Sequence, residues 1–409
     1  MAVNLKLALM SLAFLVAFNA INHAQAAVFD VTTHGAKPGA DMTAALTSAW
    51  KDACAAAGKN QVVVPKGIFK LGPVTLAGPC KGPIEFHNQG TIQAPADPSK
   101  FQDFWIQFLH VDGFTLSGGG TFDGQGQTAW KSNVCPNNLN SCGVLAANLK
   151  FSFVTNAVVT DITSLNSKYF HIILLGCKGM QMEKLTITAP ADSANTDGIH
   201  IGRSSGITIT DIKIGTGDDC ISLGDGSQDI TITKVACGPG HGISIGSLGR
   251  YKNEEPVSGI TVTGCTITNA QNGVRIKTWP GSPSAGSASG MHFEDITMTN
   301  VDNPILIDQG YCPHGQCKAQ APSTIKISDV SFKNIRGSTS NVEAVKLACS
   351  KSVPCEKVNL QDIDLKFTGS GESKTICENV NPTISGTQNP PGCTGAPAAA
   401  GAPAAAGPA

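Results

Sequence analysis

Short runs in which Ile or Val alternates with Thr recur along the middle of this chain: Ile207-Thr208-Ile209-Thr210, Ile230-Thr231-Ile232-Thr233 and Ile260-Thr261-Val262-Thr263. Alternation with period two marks a strand with one buried face, and β-branched side chains suit that pleated surface. The first two runs begin 23 residues apart and the third 30 later, as though a loop were inserted. A second series interleaves with them: Gly198-Ile199-His200, Cys220-Ile221-Ser222, Gly242-Ile243-Ser244 and Gly273-Val274-Arg275, with apolar centres stepping by 22, 22 and 31 residues. A period of this size, with several short strands and no helical run, predicts an all-β solenoid from about residue 83 to 368. Each repeat is then one turn of a parallel β-helix, burying its Ile and Val against the turns above and below. A β-sandwich competes as an architecture, but nothing in it requires like residues at a fixed 22-residue step.

The ends of the chain read differently. Lys6, the apolar stretch Leu7 to Phe18 and Ala24-Gln25-Ala26 match the three parts of a secretory signal, placing a signal peptide at 1–26. The apolar stretch is short for a membrane span, and no later run reaches 18 uninterrupted apolar residues. Met42, Leu46, Ala49, Trp50 and Cys54 then share one face of a helix, with Asp41 as candidate N-cap and Gly58 beyond its end. This helix is expected to cap one open end of the solenoid and cover its strand edges. Val62-Val63-Val64 reads as a short strand. The solenoid domain is thus expected over 27–394, followed by a disordered Ala/Pro/Gly tail over 395–409.

Composition fits this picture. There are 45 Gly, 14% charged and 6% aromatic residues, as expected of many tight turns between short strands. The net charge of −1 provides no field to draw the protein to nucleic acid or an anionic membrane. Fourteen cysteines in a secreted chain favour disulfides over metal sites. Cys135/Cys142, Cys312/Cys317, Cys349/Cys355 and Cys377/Cys393 are close pairs, and Cys54/Cys80 is placed to tie the N-terminal cap. Cys220 and Cys237 lie 17 residues apart, nearly one repeat, which predicts a bridge between adjacent coils. Cys177 and Cys265 fall in apolar runs and read as buried thiols. No metal or other cofactor is expected, and no permitted N-glycosylation sequon occurs.

The polar residues follow the same repeat. Asp197, Asp219 and His241 are separated by 22 and 22 residues, which stacks them at one azimuth on three successive coils. Asp218 adjoins the middle one, and Arg275 and Lys277 flank Ile276 and project to one side of their strand. An Asp beside Gly is most often a turn residue, and a lone Arg or Lys on a strand is usually solvated. All six in register with the repeat make those readings poor. Glycoside hydrolysis needs one protonated carboxyl for the leaving oxygen and another to activate water or attack carbon. Crowding carboxylates separates their proton affinities. Arg275 and Lys277 supply charge for an anionic substrate, and a hydrogen bond from His241 suits control of the cluster's protonation. Strict alternation from Ile199 would turn Asp197 inward, so the aspartates must lie in the turns leading into the strands.

Asn195-Thr196-Asp197-Gly198, Gly217-Asp218-Asp219-Cys220, Gly240-His241-Gly242 and Arg275-Ile276-Lys277 resemble the four signature segments of family 28 glycoside hydrolases, the polygalacturonases. The similarity extends over nearly the whole mature chain. It implies a right-handed parallel β-helix that hydrolyses α-1,4-galacturonosyl bonds with inversion. It implies Asp218 as general acid, Asp197 and Asp219 as residues that position and activate water, and His241 as their essential neighbour. Arg275 and Lys277 are implied as binders of the substrate carboxylate, with Asn195 and Tyr311 as further substrate-binding residues. The stretch Gly242 to Tyr251 is similar to that of plant pollen-type enzymes, many of them exo-acting. The expectation is a monomeric, extracellular cell-wall enzyme acting on pectin, with an endo-acting enzyme as the alternative. A pectate lyase would need calcium and a base for elimination, and a non-catalytic pectin-binding solenoid would have no use for the acid cluster.

Overall fold

A computed structural model of the protein describes residues 26–132, 145–315, 317 and 321–393. Residues 1–25 of the expected signal peptide, the tail over 395–409 and the Cys135/Cys142 pair lie outside the described residues. The chain winds as a right-handed parallel β-helix, and every named strand pairing is parallel. One wall is a sheet of eleven strands among the described residues, running from Val74–Ala77 to Lys374–Glu378, with one strand from each coil.

The register of this wall explains the apolar series. Leu149, Ile172, Ile199, Ile221, Ile243, Val274, Ile305 and Val345 are successive partners, all buried. A second file runs in parallel two residues later, from Phe151 through Leu174, Ile201 and Leu223 to Ile245, Ile276, Ile307 and Leu347. These side chains stack on their counterparts in the coils before and after, so a coil buries its apolar face fully only within the stack. On the opposite wall Ile207, Ile230, Ile260, Met291, Val330 and Val358 do the same. The bends into that wall place Asn156, Gly179, Gly206, Asp229 and Gly259 at positive φ, a conformation those residue types tolerate.

Coils continue past the repetitive stretch 83–368 at both ends, inside the domain expected over 27–394. Ala27–Asp30 pairs with Asn60–Val64 at the start, and Thr383–Asn389 pairs with Glu356–Phe367 at the finish. End coils carry weaker repeats because one of their faces has no coil to match. The helix Thr43–Ala55 packs Leu46, Ala49 and Trp50 onto the first coils, with Trp50 against Phe108 and Phe114 and its indole N–H on the Ala77 carbonyl. Met42, rather than Asp41, is the helix N-cap residue. The Asp41 carboxylate still accepts from the Thr43 N–H at 2.8 Å, so it caps from one position further out.

Five disulfides occur among the described residues: Cys54–Cys80, Cys220–Cys237, Cys312–Cys317, Cys349–Cys355 and Cys377–Cys393. Cys177 and Cys265 are buried thiols.

Candidate active site

Each candidate aspartate lies in the bend immediately before a strand of the eleven-stranded wall. Asp197 precedes Ile199–Gly202, Asp218 and Asp219 precede Ile221–Leu223, and His241 precedes Ile243–Leu248. The bends are tight because backbone meets backbone there. A Cβ on Gly217 would sit 2.1 Å from the Ser193 carbonyl oxygen, and one on Gly242 would sit 2.1 Å from that of Asn272. Thr196 fixes the same contact by accepting from the Gly217 N–H at 3.0 Å. Asn195 adopts a positive φ of 56° and donates to Asp218 Oδ2 at 3.4 Å.

The three carboxyls have different partners. Asp219 is buried, and its oxygens accept from Arg275 Nη2 and Lys277 Nζ, both at 2.8 Å, and from Ser244 Oγ at 2.9 Å. Burial pushes this carboxyl up, but Lys277 and Arg275 overcome it and hold it down at about 2. Asp219 is therefore an anion at any working pH. Asp197 is also buried and accepts from Ser222 Oγ at 2.8 Å. Burial, then the charges of Asp218 and Asp219, push Asp197 well above the usual carboxylate range, against the pull of Lys277 and Ser222. Asp218 is partly exposed; its Oδ1 lies 3.1 Å from His241 Nδ1 and accepts from the Asp219 N–H at 2.7 Å.

Between the two apolar files of the wall runs an outward column, His200, Ser222, Ser244 and Arg275, in strict register. It forms the floor under the carboxyls. Ser222 donates to Asp197 and meets His200 Nδ1 at 2.8 Å; partial burial and the nearby Lys277 ammonium hold that imidazole down to about 4. Neutral His200 thus donates from Nδ1 to Ser222. Arg275 Nε donates to Ser244 Oγ at 3.1 Å on its way to Asp219.

Two cavities open above this floor. One, of about 340 Å³, is lined by Asp197, Asp219, His200, Phe170, Tyr251 and neighbours. The other, of about 600 Å³, is lined by His241, Gly217, Gln271, Arg275, Trp279, Pro313 and neighbours. Asn195, Asp218, Ser247, Arg250, Lys277 and Tyr311 line both. All eight catalytic and substrate-binding candidates from the sequence therefore lie at one cleft, with Asp218 at the divide. Tyr311 joins them through its ring, 5.2 Å from Lys277 Nζ and 5.8 Å from Arg275 Cζ.

Residues 54–388 match the glycosyl hydrolases family 28. The chain belongs to that family. It is 57% identical over 358 residues to an exopolygalacturonase of Oenothera organensis, covering 87% of this chain and 99% of that one. It is 55% identical to an exopolygalacturonase of Platanus acerifolia, covering 89% and 97%, and 51% identical to a polygalacturonase of Gossypium hirsutum, covering 93% and 94%. Among solved structures, the endo-xylogalacturonan hydrolase of Aspergillus tubingensis superposes with TM-score 0.75 at 25% identity, covering 88% of this chain and all of that one. The exopolygalacturonase of Thermotoga maritima superposes with TM-score 0.69 at 16% identity, covering 90% and 95%, and shares the fold.

In this family 28 chain the cations expected at a substrate carboxylate are first of all partners of Asp219, and both are nearly buried. Ligand atoms of Asp218, Asp219 and His241 lie within 4.8 Å of one another, a spacing a cation could use. The donor set suits one poorly, because Asp219 already faces an ammonium and a guanidinium that would repel a divalent ion. Sequence reasoning gave no role to His200, Ser222 or Ser244, although each stands in the repeating series one position after its apolar centre. Phe170, Arg250 and Trp279 carried no periodic signal.

Proposed function

We propose that this chain is a secreted exopolygalacturonase, releasing galacturonate from chain ends of polygalacturonate by hydrolysis of α-1,4 bonds with inversion. The observation that carries the hydrolytic reading is the opposite proton affinity of Asp197 and Asp219, crowded with Asp218 at the divide between two sugar-sized cavities. Asp219 is fixed as an anion, while Asp197 beside it is pushed well above the usual carboxylate range. Asp218 lines both cavities, so it is the carboxyl in reach of an oxygen that joins one sugar to the next. It donates its proton to that leaving oxygen. Water attacks the anomeric carbon from the opposite face, and its proton passes to Asp197, which inverts the configuration. Asp197 suits that task better than Asp219, because a carboxylate held down near 2 is a weak base. Asp219 instead provides fixed negative charge beside the oxocarbenium-like transition state. His241, bonded to Asp218 and partly exposed, offers a path for its reprotonation.

The exo mode and the substrate rest on the named relatives at 57% and 55% identity. Five disulfides among the described residues suit an oxidising compartment, in keeping with extracellular action of a monomer on cell-wall pectin. Polygalacturonate incubated with the purified protein in excess chelator should yield monomeric galacturonate from the first time point, without unsaturated product. A falling ladder of oligomers would replace exo with endo action. Failure to release any reducing sugar would overturn the hydrolytic reading.

A further inference from the structure

The cleft must recognise a negatively charged sugar, yet its two buried cations, Arg275 and Lys277, already donate to Asp219. Arg250 stands differently. It is exposed, lines both cavities, and forms no ion pair with any described carboxylate. Its guanidinium lies 5.1 Å from the Trp279 ring and 5.3 Å from the Tyr251 ring, so two aromatic faces restrict it while its N–H edge remains available. The loop that carries it is held from within. The Glu254 carboxylate accepts backbone N–H groups from Gly249, Arg250 and Tyr251, which uses both of its oxygens on the loop rather than on the Arg250 side chain. Gly249 lies at φ 82°, where a Cβ would sit 2.6 Å from Ser282 Oγ, so the loop passes close against the coil below.

We propose that Arg250 is a specificity-determining residue, pairing through its planar fork with a substrate carboxylate beside the scissile bond. This rests on the reading of the cleft as a polygalacturonate site. A guanidinium restrained by rings and a pinned loop loses little freedom on pairing, and its two parallel N–H groups match a carboxylate and reject its methyl ester. Arg275 and Lys277 keep the cluster's charge pattern, while Arg250 distinguishes the acid from the neutral sugar.

The test compares trigalacturonate with its methyl ester on wild-type protein and on Arg250→Gln and Arg250→Lys. For Arg250→Gln, kcat/KM on the free acid should fall about 10- to 100-fold, mostly through KM, with the methyl ester changed little. Arg250→Lys should recover part of the loss, since it restores the charge but not the fork. The pH limits of kcat should stay in place, because the aspartate cluster is untouched. Equal kcat/KM in wild type and Arg250→Gln, or equal losses on acid and ester, would overturn the proposal. Binding of galacturonate to Asp218→Asn protein with and without Arg250→Gln gives the same answer without turnover. If wild-type protein itself fails to hydrolyse trigalacturonate, it is the polygalacturonate reading that fails.

Discussion

Arg275 passes over the coil of Ser244 and sets its guanidinium 2.8 Å from Asp219, which lies two coils away along the solenoid. The reach is possible because the intervening in-register residue is a serine, small enough to lie under the side chain and polar enough to bond it. A branched apolar residue there would occupy the path and leave a buried guanidinium and a buried carboxylate without each other. Ser244→Val is therefore expected to cut kcat by at least about 10-fold while the solenoid remains folded, since separating a buried pair is costly. Wild-type kcat in a variant with an unchanged circular dichroism spectrum would deny the Arg275–Asp219 contact any part in turnover.

Replacing Asp218 by Asn keeps the volume and removes the transferable proton. Turnover should fall by about 10² to 10⁴, with melting behaviour and oligogalacturonate binding nearly intact. Near-normal turnover would move the acid role to Asp197.

Lys277 is almost buried and lies 2.8 Å from Asp219, so salt screens it weakly. Lys277→Met should lower kcat at low and high salt alike. It also removes a positive charge that pulls the Asp197 carboxyl down. The Asp197 proton is then held more tightly, and the alkaline limit of the kcat–pH profile should move to higher pH. A limit that stays or falls would show that Lys277 does not govern the cluster's proton.

Asp197 and Asp219 carry opposite pH signatures in stability. Asp219 holds its carboxylate down at about 2 against 3.8, so its contribution is present above pH 3.8 and is lost as pH falls toward 2. Asp197 is raised above 3.8, so folding carries no charge penalty below that pH. The penalty grows as pH rises through the unfolded value, where the unfolded chain ionises first, until the folded group ionises too. Asp197→Asn should be inactive, yet melt about 2–4 °C higher near neutral pH, with the gain vanishing near pH 3. A difference in melting temperature that ignores pH would mean Asp197 is not raised.

Cys220 follows Asp219 directly, and its bond to Cys237, 17 residues on, anchors the end of the bend that presents Asp218 and Asp219. In a chain-entropy account, replacing both by Ala costs about 3 kcal/mol of stability. Loosening the bend should also lower kcat, because small displacements of acid and base are expensive. Denaturant unfolding and kinetics on the double variant check both halves; full activity at reduced stability would limit the disulfide to a structural role.

The sequence by itself determined the solenoid and the azimuth of Asp197, Asp219 and His241. In a stack of fixed period an offset of 22 residues is a distance of one coil, so the repeat converts chain position directly into spatial neighbourhood. It also required the aspartates to sit in bends, because a continued strand would have turned Asp197 inward. Only the tertiary structure decided what those residues face. That Arg275 and Lys277 turn back to Asp219 depends on side-chain reach across the Ser244 coil, and period says nothing about reach. Opposite proton affinities at Asp197 and Asp219 come from sums over neighbours on several coils, which differ although the two sites repeat each other. Arg250 was legible only as part of a familiar stretch: it stands on the insertion that breaks the period, where chain position no longer implies place.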